Sequence, residues 1–511
     1  MNARSTTSGE VSRTQAGGED LPWLSRAARA RPDHPALITP HRTWSYRELE
    51  ERVAFRAGQL LNAGLQPGDH LGIWMSNEPA FVELVHAATL LGCPLVILNA
   101  RLTPSELAPL LDRARPRLLI HADALCSAAH AATQNGSGGT RPLAVSELDQ
   151  ESAAALPRSQ TRIHGLDHAI LFTSGTTGTP KGVRLSLAQH EASARATAAR
   201  LGVSSQDRWL LCMPVYHIGG LAILLRAALF ATSVMLHERF DVDTVTHALL
   251  HQSVSHVSLV PTMLARLLER APQLQPPETL RCVLLGGGPI AHELVARALS
   301  LGWPLCGTYG MTEAASGIAT THPGDSDLTW LPPLPHTELS IVDSEGRPVP
   351  AGVAGEICVR GPQIMSGYLG SPALTLERLR EGWLHTGDMG ELDARGRLRI
   401  LDRRTDLIVS GGENIYPAEV ENVLLKHPRV SEVALIGLPD PHWGQRAVAV
   451  VVERGTDTPI SSLLESELLE LCARELAGYK RPRTIMRWSE PLPRTASGKL
   501  QRDVLRRQVS A

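Results

Sequence analysis

The sequence predicts an α/β protein: a large N-terminal unit of βα layers, an antiparallel β subdomain, and a small α+β C-terminal unit. Three observations carry this expectation. Apolar runs alternate with helical periods from about residue 21 to beyond Gly310. Short runs broken by turn residues replace them from about 334 to 402. A charged stretch, DRRTD at 402–406, then precedes a last alternation of strands and helices over 407–511. The expected division is a disordered leader over 1–20, a large domain over 21–402, a hinge at 403–406 and a lid domain over 407–511.

Composition narrows the function classes. The chain has 511 residues, 43% hydrophobic and 20% charged, with a net charge of −2. That balance creates no broad field for nucleic acid or an anionic membrane. No apolar run approaches the ~20 residues a spanning helix needs. The opening MNARSTTSGEVSRTQAGGED lacks the apolar core of a signal peptide. Seven scattered cysteines, never spaced C-x-x-C, fit a reducing compartment and exclude a disulfide or zinc framework. A cytoplasmic location is therefore expected.

The elements follow in order. TWSYRELEERVAFRAGQLLNAG opens as a strand, continues into a helix capped by Ser45 with Glu48 three residues on, and closes at Gly64. HLGIWMS, PLVILN and RLLIH read as buried strands, with EPAFVELVHAATLLG as a helix between the first two. Residues 126–165 are small, polar and weakly patterned, so loops are expected there. RWLLCMP, SVMLHE, SHVSLVP and RCVLLGGG resume the strand series. HTELSIVDSEGRPVP, GEICVRGP and LHTGDMGELDARGRLRIL make the antiparallel subdomain, and VSEVALIGLPD, RAVAVVVER and SSLLESELLELCARELAG the C-terminal unit.

One loop points to chemistry. LFTSGTTGTPKG, 171–182, packs glycines, hydroxyls and Lys181 between apolar segments. Glycines let backbone N–H groups approach an anion, and the hydroxyls add donors. A Walker-type P-loop is excluded, because Pro180 precedes the lysine and Gly182 stands where a Ser or Thr would hold magnesium.

TSGTTGTPKG resembles the signature of the adenylate-forming superfamily, which comprises acyl- and aryl-CoA ligases, peptide-synthetase adenylation domains and luciferases. TYGMTEAA (308–315), WLHTGD (383–388), ILDRRTDLIVSGGENIYPAEVE (400–421) and PRTASGKLQR (493–502) resemble its later motifs, in the same order. The resemblance implies ATP-dependent activation of an acid as an acyl-adenylate, then thiolysis by CoA, with Mg2+ as cofactor. It implies that Thr173, Ser174, Gly175, Thr176, Thr177, Gly178 and Lys181 hold the β- and γ-phosphates. Gly286, Gly287, Gly288, Tyr309 and Gly310 would form the adenine pocket, with Tyr309 stacking on the base. Thr312 would bond the α-phosphate, Glu313 would hold Mg2+, and Asp388 and Arg403 would grip the ribose. Lys499 would bridge acid and α-phosphate during adenylation. Thr405 would be the hinge, and Ser410, Gly411 and Gly412 would line the CoA tunnel after rotation of the lid. The superfamily's usual Gly-Arg is Asp402-Arg403 here, which keeps the arginine and loses the glycine.

The acid is read from MPVYHIGGLAILLRAALF, 213–230. An arginine in so apolar a helix is costly unless it reaches water or meets an anion. Arg226 either snorkels or neutralises a second carboxylate on the substrate. PLVILNARLTPSEL, the histidine segment, LLGGGPI and TYGMTEAASGI resemble one subfamily, the o-succinylbenzoate–CoA ligases of menaquinone biosynthesis, whose acid has two carboxylates. That resemblance brings His217, a candidate catalytic residue, and Ser316 to the acid beside Arg226. The alternatives are a CoA ligase for another aryl or medium-chain acid, a domain loading a carrier protein, and a non-catalytic nucleotide-binding homologue. GGGPIA lacks the acidic residue a dinucleotide site needs. His247, His251 and His256 lack a completing ligand and read as helix-surface histidines.

Overall fold

The computed structural model describes residues 21–134, 139–151, 167–173, 180–288, 290, 292–402, 407–454, 462–493 and 500–510. They form four sheets, of eight, seven, five and five strands. The seven-stranded sheet is built on Leu71–Trp74, Leu95–Leu98, Leu118–His121 and Asp167–Thr173, all parallel. The first three are buried at every position, which is why they read as unbroken apolar runs. The eight-stranded sheet carries Pro35–Ile38, Arg208–Leu211, Ser233–Leu236, His256–Leu259, Cys282–Leu285 and Leu305–Met311 in parallel, with antiparallel strands Thr43–Ser45 and Ser316–Thr320 at its edges.

One continuous core joins these two sheets. The helices Pro79–Leu91 and Ile218–Phe230 contribute side chains from all around their circumference to it. A helix that is apolar on every side has to be a central one. The helix Tyr46–Asn62 begins with the expected capping box: Ser45 accepts from the Glu48 N–H, and Glu48 accepts from the Ser45 N–H at 2.7 Å. Its buried Arg56 pairs with Glu83 of Pro79–Leu91 at 2.9 Å, which fixes one helix against the other.

The antiparallel subdomain appears as expected, with strands Glu338–Val342, Gly355–Arg360, Trp383–Leu392 and Leu398–Asp402. After 403–406, which lie outside the described residues, a separate sheet forms around Val430–Asp440 and Gly444–Glu453. Along Val430–Asp440 alternate residues feed two cores. Val433 and Leu435 face the helices Pro417–Leu424 and Ser462–Glu475, whereas Ala434, Ile436 and Leu438 face Arg502–Ser510. The period-2 pattern of VSEVALIGL reflects this two-sided burial.

The expectation of loops over 126–165 is corrected where the chain is described. Cys126–Thr133 and Val145–Gln150 are helices, and Arg141–Ala144 is a parallel edge strand. Alanine forms helix well without supplying a strong apolar period, and Ala129 and Ala132 are the buried contacts. Among the described residues no helix is long and apolar enough to cross a membrane.

The capping box gives a direct test of the first long helix. Ser45→Ala should lower stability by about 1 kcal/mol, seen as a lower urea midpoint with an unchanged denaturant slope.

Candidate active site

The carboxyl ends of the parallel strands open into one cavity of about 610 Å³, closed on its far side by the C-terminal unit. This is the crevice where ligands bind in open α/β sheets. Its lining includes Asn99, Leu171 to Thr173, Ser258 to Val260, Gly286 and Gly287, at or near strand ends, and Thr308 within Leu305–Met311. Gly412, Glu413, Asn414, Tyr416, Tyr479 and Lys480 come from the C-terminal unit.

The nucleotide side is built on a hairpin. Thr173 and Lys181 are register partners on antiparallel strands. They flank the loop whose Ser174, Gly175, Thr176, Thr177 and Gly178 lie outside the described residues. Lys181 stands 5.7 Å over the Tyr368 ring. Burial first, then the nearby Arg378 guanidinium, depress the Lys181 pKa, and Glu313 opposes them. Two cations crowded in a half-buried recess are relieved by an anion such as a phosphate. Glu313 takes a 2.9 Å hydrogen bond from the Tyr368 hydroxyl and lines both this recess and the main cavity. An oxygen donor beside hydroxyls and lysine suits Mg2+, which favours one or two carboxylates plus phosphate and water. Thr312 lines the same cavity.

Two glycines here are forced by close approach. A Cβ at Gly286 would lie 2.7 Å from the Thr308 carbonyl oxygen, and one at Gly310 would lie 2.0 Å from that of Ser316. Gly288 is not in the cavity lining; it packs towards Val409 at the seam with the C-terminal unit. Nor is Tyr309, which is 3% exposed and donates from its hydroxyl to Asp388 at 2.7 Å. Asp388 does line the cavity. It lies within an irregular stretch of Trp383–Leu392, between the register positions His385 and Met389. There the Gly387 N–H donates to Glu356 at 2.8 Å and the Thr386 hydroxyl to the Ile357 carbonyl at 2.7 Å. Cys358 and His385 face each other across the same strand pair, and His385 Nδ1 also lies 3.2 Å from Glu356.

At the acid side, His217 precedes the helix Ile218–Phe230, and Arg226 lies within it. Arg226 is 3% exposed, so the snorkelling alternative is removed. Its guanidinium stacks 4.6 Å over Trp209. Nε and Nη1 have no hydrogen-bond partner among the described residues. Burial pulls its pKa down to about 10, and the group still lines the cavity. A buried cation without an anion is several kcal/mol out of balance. Ser316 also lines the cavity. It sits at φ +111°, after Ala315 at +49°, in backbone regions that cost about 1–3 kcal/mol each for a non-glycine residue. Ser193 holds this turn by donating to the Ala315 carbonyl at 2.7 Å.

His256 corrects an expectation. It lies in the strand His256–Leu259, fully buried and stacked 4.8 Å from Trp209, not on a helix surface. His247 and His251 are exposed on Val242–His251 as expected.

On the C-terminal side, Gly412 lines the cavity at φ +85°, whereas Ser410 and Gly411 do not. Gly411 packs on the Trp443 ring and donates its N–H to the Trp443 carbonyl at 2.8 Å. Sequence reasoning did not single out Glu413, which proves central. It is 5% exposed and reaches His217 Nε2 at 3.0 Å, Arg101 at 3.1 Å and the Tyr216 hydroxyl at 3.3 Å. Burial alone would raise its pKa, but His217 and then Arg101 outweigh it and hold the carboxyl at about 2. The available signal was a charged side chain next to two glycines in a loop expected to enter the site. Arg101, Tyr368, Arg378, Tyr479 and Lys480 were also missed. Arg403, Thr405 and Lys499 lie outside the described residues.

A two-part fold with Thr173, Thr312, Glu313 and Arg226 in one cavity points to the class of enzymes that activate acids with ATP. The AMP-binding enzyme profile matches residues 24–369, and the AMP-binding enzyme C-terminal domain profile matches 419–499. The chain belongs to the AMP-binding enzyme family. It is 38% identical over 501 residues to a 2-succinylbenzoate–CoA ligase of Bacillus cereus (strain Q1), covering 96% of this chain and 99% of that protein. Among solved structures it is similar to a double mutant of the o-succinylbenzoate CoA synthetase of Bacillus subtilis bound with its product analogue. The TM-score is 0.89 at 37% identity, over 95% of this chain and 98% of that one. The same enzyme in complex with its acyl-adenylate intermediate, or with ATP and magnesium ion, gives 0.72 at 36% identity; both cover 96% of this chain, and 98% and 99% of theirs respectively. At near-equal identity and coverage, the higher TM-score is to the product-analogue complex.

Gly310→Ala tests the tightness of the site. A methyl 2.0 Å from a backbone oxygen forces the Met311–Ser316 turn apart, with an overpacking cost of about 1–3 kcal/mol. Calorimetry should show a lower melting temperature, and nucleotide binding should weaken.

Proposed function

We propose that the chain is an AMP-forming acid–CoA ligase that converts 2-succinylbenzoate, ATP and CoA to 2-succinylbenzoyl-CoA, AMP and diphosphate, a step of menaquinone biosynthesis. In the first half-reaction a carboxylate oxygen attacks the α-phosphorus and diphosphate leaves. In the second the CoA thiol gives up its proton, its sulfur attacks the acyl carbon, and AMP departs. Neither half needs a covalent enzyme intermediate, so positioning and charge neutralisation supply the rate. Thr173, Lys181 and the 174–178 loop take the β- and γ-phosphates. Thr312 bonds the α-phosphate. Glu313 would hold Mg2+, which when bound would supply charge neutralisation for the phosphates. Asp388 and Arg403 hold the ribose, with Tyr309 orienting Asp388 from below. Lys499 serves adenylation only. Residues 21–402 and 407–511 are the two moving bodies, turning about 403–406.

The single observation that carries the choice of acid is Arg226. It is a buried cation in the cavity wall, with two nitrogens that have no hydrogen-bond partner among the described residues. A monocarboxylate spends its only charge on the α-phosphorus and leaves Arg226 unpaired. A dicarboxylate supplies the second anion, as the substrate of the similar ligases does. His217 and Ser316 lie by the same acid.

A substrate panel separates this reading from its rivals. Diphosphate release with 2-succinylbenzoate, but only weakly with benzoate or medium-chain acids, is the expected result; no release with any acid identifies a non-catalytic homologue. Arg226→Met should lower kcat/KM for 2-succinylbenzoate on the order of a hundredfold, the cost of leaving a desolvated charge without its partner. The unliganded variant should melt no lower than the parent, because the cation it loses has no protein anion to pair with. Lys499→Ala should abolish adenylate formation, yet still turn preformed adenylate and CoA into thioester. Equal loss of both half-reactions would contradict the rotation.

A further inference from the structure

The seam between the two bodies contains a second charged cluster, whose Lys480 and Glu419 also reach the cavity wall. Lys480 is 3% exposed and donates to Glu106 at 2.7 Å and to Glu419 at 2.6 Å. Glu419 belongs to the C-terminal unit with Lys480, whereas Glu106 belongs to the helix Pro104–Ala114 of the large unit. Glu106 also serves its own helix. It closes the capping box with Thr103, accepting the Thr103 N–H at 2.9 Å. The same carboxylate accepts the backbone N–H of Ala477 at 2.8 Å. One residue away, the Ser105 hydroxyl donates to the Glu475 carbonyl at 3.3 Å. The segment 475–480 thus docks on the first turn of this helix through both backbone and side chain.

We propose that Glu106 and Lys480 form a latch that holds the C-terminal unit in the thioester-forming arrangement, which makes Glu106 a positioning residue for the second half-reaction. The inference rests on the ligase reading above. The chemistry of the cluster suits a latch that must release. Lys480 carries its own counter-ion in Glu419, and Glu106 keeps the Thr103 N–H, so undocking exchanges the ion pair, the Ala477 bond and the hydroxyl bonds of Thr103 and Ser105 to the Glu475 carbonyl for water without stranding a bare charge on either side. The charge of Glu106 is surplus to the cap itself, since glutamine closes a capping box as well as glutamate does. Glu106 does not line the cavity, so its effect on the reaction passes through the position of the C-terminal unit.

The test is Glu106→Gln in the full-length protein, which preserves the cap and removes the charge facing Lys480. Rapid-quench measurement should show thioester formation from preformed adenylate slowed about tenfold at saturating CoA, with diphosphate release in the adenylation half changed by less than about twofold. The KM for CoA should stay unchanged, because no CoA contact is removed. Lys480→Met should slow the same step, and the double variant should be no slower than the worse single one, the signature of one shared interaction. Thioester formation at the parental rate in Glu106→Gln, parallel loss of both half-reactions, or additive losses in the double variant would each overturn the latch. If Glu106→Gln does not fold, Lys480→Met decides: a slowed thioester step at unchanged adenylation and unchanged KM for CoA supports the latch, and any other result refutes it, a raised KM for CoA included, since Lys480 itself lines the cavity. Absence of diphosphate release by the unsubstituted protein with any acid would overturn the ligase reading itself, and is seen before any variant is compared.

Discussion

A charge buried between two bodies is stable only while each body supplies what the other lacks, and that constraint organises this structure. Glu413 enters the seam with nothing of its own to neutralise it and finds His217 and Arg101 on the large unit. Removed from water without them, its carboxylate would be destabilised by several kcal/mol; with them, it is held ionised. The loop that carries Glu413 also carries Gly412 to the cavity wall, where positive φ and a 3.0 Å approach to Val260 leave no room for a side chain. The cavity is thus sealed by a face that cannot stay closed unless its charges are matched. Burial and pairing are one event.

Arg226 obeys the opposite logic. It lies inside one body, out of water, with an aromatic face for company and no carboxylate partner among the described residues. The cation–π contact with Trp209 recovers about 2 kcal/mol or more for a desolvated pair, less than the several kcal/mol at stake. The remainder is unmet demand for an anion, held in the unliganded fold as affinity for whatever brings one. Charges at the seam specify an arrangement of the protein, whereas the charge of Arg226 in the cavity wall calls for an anion from outside. His217 lies near both: it precedes the helix that carries Arg226, and its Nε2 is engaged by Glu413.

Much of this was legible in the chain. Strands buried on both faces announce themselves as apolar runs, so the central strands of both large sheets and the two central helices were readable. The capping residues Ser45 and Glu48 marked a helix start to the residue. The region around 126–150 was not readable, because alanine-rich helices bury through small contacts that leave no amphipathic period. In the site, contiguous motifs such as the 171–182 loop were visible, since their chemistry lies in neighbouring residues. Contacts assembled from distant segments were not. Glu413 and His217 are 196 residues apart, and Glu106 and Lys480 are 374 apart. No local pattern records which charge will meet which across a seam. His256 failed for a related reason: its spacing from His247 and His251 suggested a helix, while a strand boundary falls between them.

The two half-reactions make contradictory demands on one cavity, and this explains why the seam is polar. On the reading proposed above, adenylation uses the Lys499 cation at the α-phosphate and thiolysis uses the narrow approach beside Gly412, and both residues belong to the C-terminal unit. An apolar seam of this extent would favour one arrangement by a margin too large to reverse within a catalytic cycle. Ion pairs that cost desolvation nearly as much as they return in attraction give geometry without a large net free energy. Backbone bonds such as that from Ala477 to Glu106 behave likewise, since water replaces them on opening. The directionality of these contacts selects the arrangement, and their small net energy lets the enzyme leave it.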